Sequence, residues 1–167
     1  MKPSIAAFAI LGLLGGQARA GYENTRWGMT LAQVQKTHPG GRTAEQRGET
    51  SYAVLEQVAG LPGLVTFIFG ARGLRSVSVV FPQQGSKFDP KADAYAPLGK
   101  DDADRVRDAV LQDLKARLGP PALHGEGQVS PLAWATKDGD LVVLTTTRDD
   151  PGHATVSVSI SSASDAP

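Results

Sequence analysis

The chain contains no cysteine. That excludes a disulfide framework, a thiolate nucleophile, a thiolate metal ligand and a lipid anchor on an N-terminal Cys. It also lacks charge of either sign in excess, since 17 Lys and Arg balance 17 Asp and Glu. Its basic residues are scattered, so nothing favours nucleic acid as a partner. The close basic pairs, Arg72 with Arg75 and Arg105 with Arg107, read as solvated turn and helix-face charges rather than a phosphate site.

Histidine is scarce too. His38, His124 and His153 each lie beside Gly or Pro, with no His-x-x-x-His spacing between them. His38 and His153 read as turn residues, because a metal or base site needs converging partners. Asp101-Asp102-Ala103-Asp104 lacks the glycine and the closing glutamate of a calcium loop and reads as a helix start. No serine stands in a Gly-x-Ser-x-Gly elbow, and Gly70-Ala71-Arg72-Gly73 lacks the spacing of a phosphate loop. The sequence therefore names no catalytic, cofactor-binding or metal-ligating residue, implies no cofactor, and points away from an enzyme.

Only one long apolar run is present. Ile5 to Leu14 follows Lys2 and precedes Ala18-Arg19-Ala20, the charged, apolar and small-x-small regions of a secretory signal peptide. The run is shorter than the roughly 20 apolar residues that cross a bilayer. Cleavage after Ala20 is expected, giving a periplasmic or secreted protein with no membrane span. It would remove Lys2 and Arg19 but no acidic residue, leaving a slightly acidic chain long enough to bury a core without staples.

Past that segment, Thr30 with Gln33 forms a capping-box pattern, flanked by Met29 and Val34 as a hydrophobic staple, and Pro39-Gly40-Gly41 ends the helix. A polar segment from Arg42 to Thr50 follows. Strands are then expected around Tyr52 to Val58, over Leu64 to Phe69, and through Val77, Val79 and Phe81, which alternate with Ser76 and Ser78. Pro82 to Gly99, with Phe88 and Tyr95, reads as a linker or ordered loop. Val106, Val110, Leu114 and Leu118 recur every fourth residue and predict an amphipathic helix closed by Gly119-Pro120-Pro121. After a loop from Ala122 to Ser130, strands are expected over Pro131 to Thr136, over Leu141 to Thr147 after the Asp138-Gly139 turn, and through Val156, Val158 and Ile160.

These elements predict an α+β fold of two helix-plus-three-stranded antiparallel meander units, forming a two-layer sheet with the helices on one face. Residues 1–20 are the signal peptide and 21–162 a single domain. Its pseudo-repeats cover about 24–82 and 100–161, with a linker over 83–99 and a disordered tail over 163–167. Trp27 and Trp134 are expected as core or helix-to-sheet anchors.

Gly28-Met29-Thr30 followed by Val34 resembles the helix start of the outer-membrane-assembly lipoproteins of the BamE/SmpA type. The helix-then-strands repeat, with Leu118-Gly119-Pro120 before Trp134, is similar to the tandem domains of the beta-lactamase-inhibitor proteins. The resemblance implies a fold family and no site residue, and the lipobox Cys of the assembly lipoproteins is missing.

The function expected is a non-catalytic module that binds a protein or a cell-envelope component through one sheet surface or its loops. The alternative is a periplasmic small-ligand carrier, or a hydrolase sited on loop residues such as His124, Glu126 and Asp138.

Overall fold

The computed structural model describes residues 22–46, 48–87, 89, 95–124, 131–148 and 152–162. The expected signal peptide and C-terminal tail lie outside them. Among these residues two helices and nine strands follow in the order α1 (Leu31–Thr37), β1 (Arg42–Gln46), β2 (Glu49–Val58), β3 (Leu61–Gly70), β4 (Gly73–Val80), β5 (Leu98–Gly99), α2 (Lys100–Leu118), β6 (Leu123–His124), β7 (Leu132–Ala135), β8 (Asp140–Arg148) and β9 (His153–Ser162).

All the strands join one antiparallel sheet in the order β1-β2-β3-β4-β9-β8-β7-β6, with β5 added against β9. This corrects the expected architecture: the molecule is a mostly antiparallel β-sheet with two helices, not two helix-plus-three-strand units. Three strands were missed for physical reasons. β1 is an edge strand whose described side chains are exposed, so no burial imposes a period of two on it. β5 and β6 have two residues each, too few to show any period.

Helix α1 begins as its residues dictate. The Thr30 N–H donates to Gln33 Oε1 at 2.9 Å, and the Thr30 hydroxyl accepts from the Gln33 N–H at 3.4 Å, so both ends of the capping box close. Helix α2 starts one residue earlier than its aspartates suggest. Its N-cap is Gly99, with no side-chain cap. Asp101 and Asp102 lie within the first turn, where they favour the helix dipole.

The core forms on one side of the sheet. Val65 and Phe67 of β3, Val77 and Val79 of β4, and Val156 and Val158 of β9 are buried there. Helix α2 brings Val106, Val110 and Leu114 against β8 and β9, and His38 at the end of α1 packs its ring on Phe67 with centroids 4.8 Å apart. Both helices thus cover the same face.

Candidate functional site

Antiparallel register places directly paired residues on the same face, so the uncovered face can be read strand by strand. One row runs Ala53, Thr66, Ser78, Ser159 and Val143 from β2 through β3, β4 and β9 to β8. On one side of it lie Ser51, Ile68, Ser76, Ser161 and Leu141. On the other lie Leu55, Leu64, Val80, Ser157 and Thr145. Charged residues make up 20% of the chain, yet between β2 and β8 these three rows contain none; charge returns at their margin, where Arg42 of β1 pairs with Ala53 and Arg75 bonds Glu49. Their side chains are exposed or half-buried.

The composition of this face is graded. Serines from β4 and β9 line the central seam. Leu55, exposed at 49%, stands to one side, with Leu141 at 40% and Leu123 at 67% towards the other edge. Leu123 faces Ala133, which itself pairs with Val143, so it extends the central row. Exposed aliphatic residues gathered on one uncharged surface are a marker of interaction sites. Short hydroxyls are cheaper to desolvate than charges, and charge is what interface cores avoid.

Beneath α2, on the core side, is a cavity of about 200 Å³. Val79, Val110, Leu114, Val142 and Val158 form its apolar wall. Glu23, Asp113, Arg117 and Asp140 supply its charged groups, and Arg117 is bonded to Asp113. Asp140 is 5% exposed, and its Oδ1 accepts from the Trp27 indole at 2.7 Å. Tyr22 also lines the cavity, and its buried hydroxyl has no partner among the described residues. Burial, then the carboxylates of Glu23 and Glu56, push that hydroxyl well above the ordinary phenol range, against a smaller opposing pull from Arg117.

The histidines separate widely. His38 stands at the turn that ends α1 and is buried there, its Nδ1 2.7 Å from Glu56 Oε1. Its carbonyl accepts from the Tyr52 hydroxyl at 2.6 Å, and its Nε2 has no partner among the described residues. Rings of Tyr22 and Phe67 flank it, so it serves as a packed polar core group. His153 opens β9 and pairs with Gly99.

Of the loop set His124, Glu126 and Asp138, His124 falls in β6, Asp138 is exposed in the turn before β8, and Glu126 lies outside the described residues. The described residues contain no group of three or more His, Cys, Asp or Glu able to hold a metal ion. Among them no helix is long and apolar enough to cross a membrane.

The sequence showed the alternation that builds the open face, since Ser76 and Ser78 oppose Val77 and Val79. It could not show that β4 and β9 pair, which gathers the serines. Asp140 and Tyr22 left no signal at all. Compared with protein-family models, curated proteins and solved structures, the chain matches none of them.

Proposed function

We propose that this protein is an exported, non-catalytic binding module that engages a protein or a cell-envelope component through the open face of its sheet. The observation carrying this reading is the run of cross-strand rows that carry no charge between β2 and β8, edged by exposed Leu55, Leu123 and Leu141 and by Arg42 on β1. A partner docking there displaces water from methyls and hydroxyls without stripping an ion of its hydration. The apolar run over residues 5–14 and the small-x-small residues before Gly21 support export.

The test introduces charge where the face is flat. Ser78→Lys with Ser159→Lys, directly paired in the central row, is compared with Arg105→Glu on the exposed surface of α2. The expected result is capture from envelope extract of one defined partner by the native protein and the α2 variant, and at least about tenfold weaker capture by the lysine pair. Equal capture by all three proteins, or no reproducible partner, overturns the reading. Circular dichroism confirms that the lysine pair is folded.

A further inference from the structure

We propose that the cavity beneath α2 is a binding site for an uncharged apolar molecule of about eight non-hydrogen atoms, the size of a small alkylbenzene. It lies on the helix-covered side of the sheet, opposite the face assigned to the partner, so neither reading depends on the other.

Size and wall chemistry set the body of the ligand. A void of about 200 Å³ walled by Val79, Val110, Leu114, Val142 and Val158 exceeds the roughly 150 Å³ of an apolar cavity known to take up benzene. Leu118 also lines it and leaves 38% of its surface to water, an apolar surface that a bound hydrocarbon would cover. The charged lining groups ask for no ion. Asp113 is bonded to Arg117, Asp140 holds the Trp27 indole at 2.7 Å, and Glu23 is exposed to water. An ionic ligand would give up its hydration to a lining whose charges are already paired or solvated.

The backbone supplies an independent sign. Among the described residues, the two non-glycine residues with positive φ are Glu23 at +47° and Ala59 at +53°, and both line this cavity. Strain of this kind gathers at ligand sites. Ala59 and Gly60, at +76°, form the two-residue turn between the paired Val58 and Leu61. With positive φ at both positions, such a turn favours Asn, Asp or Gly first. Alanine forgoes that preference and keeps the lining apolar at residue 59. Turn chemistry alone would select Asn there, whereas an apolar binding cavity selects alanine.

Ethylbenzene, phenylacetate and phenethylammonium, which share a ring and differ in charge, are titrated into the protein labelled with ¹⁵N. The expected outcome is saturable binding of ethylbenzene tighter than about 1 mM, with shifts at the amides of Ala59, Val110 and Leu114, and at least about tenfold weaker binding of both ions. Ala59→Asn is the decisive variant, because turn chemistry and ligand binding pull it in opposite directions. It should melt at or above the temperature of the native protein and yet bind ethylbenzene at least about fivefold more weakly; a purely structural role for residue 59 would move the melt and leave binding unchanged. Leu114→Phe, its fold checked by circular dichroism, should fill the void and eliminate binding. The proposal is overturned by the absence of saturable ethylbenzene binding to the native protein, or by either ion binding as tightly as ethylbenzene. It is equally overturned by folded Ala59→Asn binding ethylbenzene as tightly as the native protein, or by shifts that cluster on the open sheet face.

Discussion

At the scale of single residues, Trp27 is held by its indole bond to Asp140, whereas Gly28 and Met29 are held by backbone. The Gly28 N–H donates to the Leu74 carbonyl, and the Leu74 N–H to the Met29 carbonyl, both at 2.8 Å. Gly73 makes that approach possible. A Cβ built there would stand 2.4 Å from the Gly28 oxygen, and its φ is +96°. Gly73→Ala should therefore cost about 3 kcal/mol through combined clash and strain, whereas Gly85→Ala, with φ +73° and open space around it, should cost only about 1 kcal/mol. Denaturant midpoints of the two variants check the ranking.

Tyr22 yields a second expectation at this scale. Its hydroxyl is buried without a partner among the described residues, so Tyr22→Phe should leave stability at pH 7 unchanged or raise it by about 1 kcal/mol. The pH dependence has a definite sign. The folded protein holds the phenol protonated beyond its usual range, while the unfolded chain releases that proton near pH ~10. Above that pH the unfolded state binds fewer protons, so stability falls as pH rises. Thermal melts from pH 9 to 11 should show this fall in the native protein and a shallower one in Tyr22→Phe.

At the scale of elements, the two helices stand on different footings. α1 has seven residues, too few to persist without packing. Thr30→Ala should cost about 1 kcal/mol and accelerate hydrogen exchange at the amides of α1 first. α2 rests instead on Val106, Val110 and Leu114, and Leu114→Ala should cost about 2–5 kcal/mol by enlarging an existing void. Both helices were legible because their signals are local: Thr30 and Gln33 are three residues apart, and the apolar residues of α2 recur every fourth position. β1 was not legible, because pairing with β2 rather than burial makes it a strand.

At the scale of the whole molecule, the decisive contact is the pairing of β4 with β9, from Ser76 opposite Ser161 to Val80 opposite Ser157. It joins the two halves into one sheet and places Val77 and Val79 beside Val158 in a shared core. Trp27 ties the halves a second time by its bond to Asp140, 113 residues away. The protein should therefore unfold in one step. Far-ultraviolet circular dichroism and tryptophan fluorescence of Trp27→Phe, which reports on Trp134, and of Trp134→Phe, which reports on Trp27, should give coincident transitions within each variant. Separate transitions would show two independent units.

Sequence alone determined the alternation of β4 and β9, both helices, the turns at Asp138-Gly139 and Gly70 to Gly73, and the absence of cysteine, because each depends on residues within a few positions of one another. Tertiary structure alone decided that the halves form one continuous sheet, that serines from β4 and β9 meet on its open face, and that Asp140 and Tyr22 line a cavity with residues of α2. Those outcomes depend on which strand edges find each other across about half the chain, and backbone hydrogen bonds, being the same for every residue type but proline, leave little trace of that choice in the sequence.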